Sequence, residues 1–124
     1  MTSVSTHVLD TSVGRPAADV AVLLEVRAGG DAPWVPHGAS ATDADGRCKD
    51  LPALPGTTTH VRLQFATGPY LTRTRAEGRQ DAPRTGDSGA FFPEVAVVVA
   101  VEPGEHYHVP LLLNPFGYSV YRGS

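Results

Sequence analysis

The side chains best suited to chemistry in this 124-residue chain gather near its C-terminal end. His106 and His108 lie two apart in His106-Tyr107-His108-Val109-Pro110-Leu111-Leu112-Leu113, a run whose apolar composition reads as a strand. Alternate side chains of a strand share a face, so His106, His108, Pro110 and Leu112 point one way and Tyr107, Val109, Leu111 and Leu113 the other. The second set is core. The first sets two imidazoles beside an apolar patch on the outside of a sheet, a mixture suited to a subunit interface. Downstream, Tyr121-Arg122-Gly123-Ser124 follows a strand directly. Arg122 and a terminal carboxylate would be fixed charges there, although such tails usually fray. His7 shares a strand face with Ser5 and Leu9, and Arg47 follows a turn at Gly46. Taken singly, each reads most simply as a solvated side chain.

Three kinds of chemistry fit these residues. An imidazole can act as base or acid while an Arg holds an anionic or carbonyl-bearing substrate. A zinc hydrolase could use His106 and His108 as two ligands, with His7, His37 or His60 as the third, but no His-Glu-x-x-His or paired cysteine supports it. A non-catalytic sandwich module for binding is the third reading, and fold alone does not exclude it. Cys48 stands between Arg47 and Lys49, where a thiolate would be favoured, though a plain strand or turn cysteine is the simpler reading.

The elements that must position these groups read as β throughout. The 13 Gly and 11 Pro are spread along the chain and punctuate short segments. Strands are expected at Ser5–Asp10, Asp19–Val26, Thr59–Phe65, Val95–Val101, Tyr107–Leu113 and Tyr118–Arg122. Val20, Val22, Leu24 and Val26 share one face of the second, and Val61, Leu63 and Phe65 one face of the third. Val95–Val101 is an almost unbroken apolar run, as in a strand buried on both faces. Turns fall around Gly14-Arg15-Pro16, Asn114-Pro115-Phe116-Gly117 and Asp43-Ala44-Asp45-Gly46, the last a hairpin in which Gly supplies a positive φ. Only Pro69–Gln80 has helical character, and Ala82–Gly89 has loop composition. The sum is an all-β, two-sheet β-sandwich of about eight strands with one short helix.

Bulk properties narrow the function. The length suits one domain over 1–124. A net charge of −3 argues against nucleic acid or an anionic membrane as partner. No apolar run reaches the ~20 residues that span a bilayer, and Met1-Thr2-Ser3-Val4-Ser5 lacks the features of a secretory signal. With Cys48 alone no intrachain disulfide forms, which fits a reducing, cytoplasmic setting.

Several segments together carry a family likeness. Ser5-Thr6-His7-Val8-Leu9-Asp10-Thr11 with Gly14-Arg15-Pro16-Ala17 resembles the N-terminal signature of the 5-hydroxyisourate hydrolases of the transthyretin-like family. Thr42-Asp43-Ala44-Asp45-Gly46-Arg47 is similar to their second motif and Phe91-Phe92-Pro93-Glu94-Val95 to their third. His106 to Leu113, Pro115-Phe116-Gly117-Tyr118-Ser119 and Tyr121-Arg122-Gly123-Ser124 resemble their closing signature. The resemblance implies an eight-stranded sandwich assembled as a homotetramer, a dimer of dimers with active sites in a central channel. It implies hydrolysis of the cyclic amide C–N bond of 5-hydroxyisourate, giving 2-oxo-4-hydroxy-4-carboxy-5-ureidoimidazoline in urate (purine) degradation. It assigns catalysis to His7, Arg47 and His108, and substrate binding to His7, Arg47, Ser119, Tyr121, Arg122, Gly123 and Ser124, with no metal and no cofactor. His106 becomes a neighbour rather than a catalyst. Transthyretin itself, a hormone carrier, shares the framework but has lysine, glutamate and threonine at the positions of His7, Arg47 and His108, and it continues past the closing tetrad. Asn114 departs from the family's usual serine, and Arg73–Gly89 is longer than the corresponding segment.

Overall fold

Alternation of apolar and polar side chains builds two sheets that close over one core. The computed structural model describes residues 1–76 and 90–124. In chain order the elements are β1 (Ser3–Asp10), β2 (Arg15–Pro16), β3 (Ala21–Arg27), β4 (Val35–Ala41), β5 (Arg47–Cys48), β6 (His60–Ala66), α1 (Thr67–Ala76), β7 (Val95–Ala100), β8 (His106–Asn114) and β9 (Gly117–Val120). One sheet runs β2-β1-β8-β9, with β5 also paired to β1; the other runs β4-β3-β6-β7. β1 and β8 pair in parallel, while the other pairs are antiparallel. Val8, Leu111 and Leu113 from the first sheet meet Val20, Val22, Leu24, Val61, Leu63, Phe65 and Val95 from the second side of the core, all buried. Each such side chain contributes ~1.5–3 kcal/mol on leaving water. Among the described residues, no helix is long and apolar enough to cross a membrane.

The expected strands are present, with ends shifted by one or two residues. Three local expectations need correction. Val95–Val101 was expected to be buried on both faces, yet the strand ends at Ala100 and Ala96, Val98 and Ala100 are exposed, Val98 by 53%. β7 is an edge strand, and only its Val95, Val97 and Val99 face the core. The Asp43–Gly46 turn does not close a hairpin within one sheet: it carries the chain from β4 in one sheet to β5 in the other. The helix begins at Thr67, before Pro69, because the segment after β6 is anchored there. Thr67 Oγ1 donates to the Phe92 carbonyl at 2.7 Å, and the Gly68 N–H donates to the Pro93 carbonyl at 2.8 Å. Pro69 then sits in the first turn, where its missing N–H costs no helical bond. Tyr70, Leu71 and Thr74 form the buried stripe of α1, and the Tyr70 hydroxyl donates to buried Asp10 at 2.6 Å. Positions 77–80 of the expected helix and the expected loop Ala82–Gly89 lie outside the described residues, as does most of the long segment from Arg73 to Gly89.

β4 was not anticipated. Pro36 and Gly38 break its pattern, but β4 is an edge strand, where a missing N–H and a missing side chain are both tolerated. Asn114 serves its turn well: its Oδ1 accepts from the Phe116 N–H at 2.8 Å.

Candidate active site

The site is built on the outer face of the β1–β8 sheet. Ser3, Ser5, His7 and Leu9 alternate outward from β1, and their buried neighbours Val4, Thr6, Val8 and Asp10 point inward. On β8 the outward set is His106, His108, Pro110 and Leu112, as the alternation requires. Pro110 departs from the expected exposed patch, being buried within the chain itself. The parallel register sets Ser3 across from His106, Ser5 across from His108 and His7 across from Pro110.

Arg47 reaches this face by a turn that its sequence dictates. Asp43 Oδ1 accepts from the N–H groups of Asp45 and Arg47 at 2.9 and 3.0 Å, and the Gly46 N–H donates to the Asp43 carbonyl at 2.9 Å. These backbone bonds, led by that from Arg47, hold the Asp43 carboxyl below its ordinary pKa. Gly46 has φ +77°, and a Cβ there would strike the Val8 carbonyl oxygen. That close approach lets the Val8 N–H donate to the Gly46 carbonyl at 2.8 Å and pairs Arg47 directly with His7. Among the described residues, the Arg47 guanidinium has no hydrogen-bond or ion-pair partner.

The C-terminal residues complete the group. β9 pairs with β8 through Leu112↔Ser119, and the chain continues to a bridge between His108 and Gly123. The Gly123 N–H donates to the His108 carbonyl at 2.8 Å. A Cβ on Gly123 would lie 2.6 Å from His108 Cδ2, so only glycine lets the tail lie against the ring. Arg47, His106, His108 and Ser124 line one cleft of ≈ 640 Å³, together with Ser3 and Ser5. Tyr121 lines a neighbouring cavity of ≈ 350 Å³ on the β7 side of His108. Ser119 and Tyr121 are exposed. Arg122 stacks its guanidinium on Tyr107 at 5.1 Å and lies 4.0 Å from Glu105, an orientation other than that of Gly123 toward the His108 ring.

The electrostatics favour a neutral imidazole at His108. Burial pushes its pKa below the ordinary value, and the charges of Arg47, His7 and His106 push the same way. Its Nδ1 meets Ser5 Oγ at 2.8 Å, while among the described residues Nε2 has no hydrogen-bond partner. A proton acceptor therefore sits beside a guanidinium with unused donors, the pairing needed to activate water and to hold carbonyl oxygens. Among the described residues, no third ligand joins His106 and His108 to hold a zinc ion. His37 and His60 belong to the other sheet, and both nitrogens of His106 contact serine hydroxyls. Among the described residues no three His, Cys, Asp or Glu side chains are grouped for a metal. Cys48 is buried on β5, and burial raises its thiol pKa, which disfavours the thiolate.

The structure thus brings His7, Arg47 and His108 together with Gly123 and Ser124. Ser3 and Ser5 were not singled out from the sequence, although Ser5 lies on the face shared with His7. Their partners stand 103 and 101 positions away and come into reach only through the parallel β1–β8 register.

Fold and site define a two-sheet sandwich that carries an imidazole–guanidinium cleft on the outer face of one sheet. The chain belongs to the HIUase/Transthyretin family, whose sequence profile matches residues 4–123. It is 42% identical over 97% of its length to a 5-hydroxyisourate hydrolase of Mesorhizobium japonicum, covering 90% of that protein. It is 41% identical over 98% of its length to the uric acid degradation bifunctional protein TTL of Arabidopsis thaliana, but spans only 37% of that longer protein. Among solved structures it is similar to the 5-hydroxyisourate hydrolase of Klebsiella pneumoniae, with a TM-score of 0.70, 31% identity and full coverage of both chains.

Proposed function

We propose that this protein is a 5-hydroxyisourate hydrolase, opening the ring of its substrate at a cyclic amide C–N bond. The observation that carries the reading is the meeting of His7, Arg47 and His108 on one sheet face, against the Gly123–Ser124 tail. His108, kept neutral, takes a proton from water through Nε2 as the water oxygen bonds to the carbonyl carbon. Arg47 holds the substrate's carbonyl oxygens and the negative charge that develops on one of them. His7 assists the proton transfers, and the ring nitrogen leaves with a proton as the C–N bond breaks. Ser119, Tyr121, Arg122, Gly123 and Ser124 shape and orient the bound ring. Neither a metal nor an organic cofactor takes part.

The active assembly is a homotetramer, a dimer of dimers that encloses this sheet face in a channel, with residues 1–124 of each subunit as one hydrolase domain. The mixed polar and apolar character of the face supports that arrangement. The cytoplasm is the compartment proposed, consistent with the unpaired Cys48. The test follows the ultraviolet decay of freshly generated 5-hydroxyisourate with and without protein, in the presence of a strong chelator. Acceleration that survives the chelator is expected. Tight binding of the compound without faster decay would favour a carrier, and activity lost to chelator but restored by zinc would favour a metal hydrolase.

A further inference from the structure

A line of four polar side chains runs along the cleft, from partly buried His108 to exposed His106 and Ser3 beyond it. Ser5 Oγ lies 2.8 Å from His108 Nδ1 and 2.9 Å from His106 Nε2, and His106 Nδ1 lies 2.6 Å from Ser3 Oγ. His108 is partly buried, whereas His106 is exposed. A neutral imidazole has one N–H and one lone pair, and a serine hydroxyl can donate one proton while accepting another. The three links are therefore satisfied together in one of two directions. In the first, His108 Nδ1–H donates to Ser5, Ser5 donates to His106 Nε2, and His106 Nδ1–H donates to Ser3. His108 Nε2 is then an open base. In the second, every donor is reversed, and His108 Nε2 carries a proton as an acid.

Resting on the hydrolase reading above, we propose that Ser5 and His106 form a proton relay, linking the His108 base to exposed His106, whose ring is held by Ser3. As water attacks, its O–H bond breaks and the proton goes to His108 Nε2. The Nδ1 proton of His108 passes to Ser5 Oγ, and the hydroxyl proton of Ser5 passes to His106 Nε2. His108 ends neutral, now with its proton on Nε2, and the positive charge rests on exposed His106, where water solvates it. When the C–N bond breaks, His108 Nε2–H protonates the departing ring nitrogen. The relay reverses in the same step, so that His108 is never left without a proton: His106 Nε2–H returns a proton to Ser5, and Ser5 returns one to His108 Nδ1. Protons balance over the cycle, and no electrons move between partners. The relay also accounts for His108 working as a base where charge on its own ring is disfavoured by burial and by Arg47. Ser5 and His106 are positioning residues in this scheme, since neither touches the reacting atoms.

The test compares Ser5→Ala, Ser5→Thr and His106→Ala with the wild-type tetramer. Ser5→Ala and His106→Ala should each lower kcat by about 10-fold or more and leave KM near its wild-type value. Ser5→Thr, which keeps the hydroxyl, should recover most of the rate. In mixtures of light and heavy water, the wild-type kcat should fall in a curve that reports several protons in motion, and the Ser5→Ala dependence should be linear. His106 is exposed, so His106→Ala remains decisive even if Ser5→Ala fails to fold. Wild-type kcat in His106→Ala would overturn the relay, as would a Ser5→Thr variant no better than Ser5→Ala. An active wild type with indifferent variants defeats the relay alone. A wild type that does not accelerate ring opening defeats both the relay and the hydrolase reading.

Discussion

Replacing Gly123 by alanine isolates the contact between the tail and the His108 ring. The ideal Cβ would lie 2.6 Å from His108 Cδ2, 3.2 Å from Cγ and 3.3 Å from Cβ. Carbon atoms settle at ~3.5–4.0 Å, so either the ring or the tail must give by ~1 Å. The tail is held there by the 2.8 Å bond from the Gly123 N–H to the His108 carbonyl, and the ring by its 2.8 Å contact with Ser5. A shift of that size breaks one or the other, at a cost of ~0.5–1.5 kcal/mol. Gly123 does not have a positive φ, so alanine adds no backbone strain, and neither bond belongs to the core. The melting temperature should fall by only ~2–6 °C. Turnover should fall far more, by ~10²-fold, because a catalytic group displaced by ~1 Å loses its approach to the reacting atom. Thermal melting beside the ultraviolet assay of 5-hydroxyisourate decay measures both. A Gly123→Ala variant as fast as wild type would refute the claim that the tail and His108 act as a packed unit.

Other outcomes follow from the same geometry. His7→Ala and His108→Ala should each lower turnover by ~10²-fold or more, whereas His60→Ala, on β6 of the other sheet, should match wild type; a His60 effect equal to that of His108 would misplace the site. The pKa of His108 is depressed, so its neutral form persists to lower pH than an ordinary imidazole. A plot of kcat/KM against pH should therefore rise through a midpoint below ~6.5 and then level off. Arg47→Ala removes one of the positive neighbours and should move the midpoint of its residual activity upward; a downward move would contradict the charge argument. Leu112→Glu places a charge on the face proposed to be enclosed, at a cost of several kcal/mol per desolvated carboxylate. Light scattering should show smaller assemblies of folded protein, with turnover falling in parallel, and a fully active monomer or dimer would count against a site built in the channel.

Much of this fold was legible because alternation reports burial directly. Val20, Val22, Leu24, Val61, Leu63 and Phe65 are each core residues on the face their spacing assigns. The limits of that signal are physical. A pattern of period two marks which face is apolar but not whether another layer covers its reverse, which is why exposed Val98 read as buried. β4 was hidden because Pro36 and Gly38 erase alternation on an edge strand. At Gly38 the lack of a side chain is used: a Cβ would come within 2.6 Å of Pro52 Cδ. The start of α1 depends on Phe92 and Pro93, which are distant in sequence. In the site, the outward placing of His106 and His108 follows from spacing alone. The gathering of His7 and Arg47 around His108 was expected only through the family resemblance, since it needs the β1–β5 and β1–β8 registers. The serine contacts depend on the same parallel pairing and left no local trace.

The account stands most directly on the rate of ring opening by two proteins compared side by side. Stopped-flow ultraviolet traces of freshly generated 5-hydroxyisourate should decay faster in proportion to wild-type concentration. With Arg47→Ala at equal concentration, the protein-dependent part of the decay rate should be ~10²-fold or more smaller. Wild-type traces that match buffer, or an Arg47→Ala protein as fast as wild type, would contradict the claim that this imidazole–guanidinium cleft performs the hydrolysis.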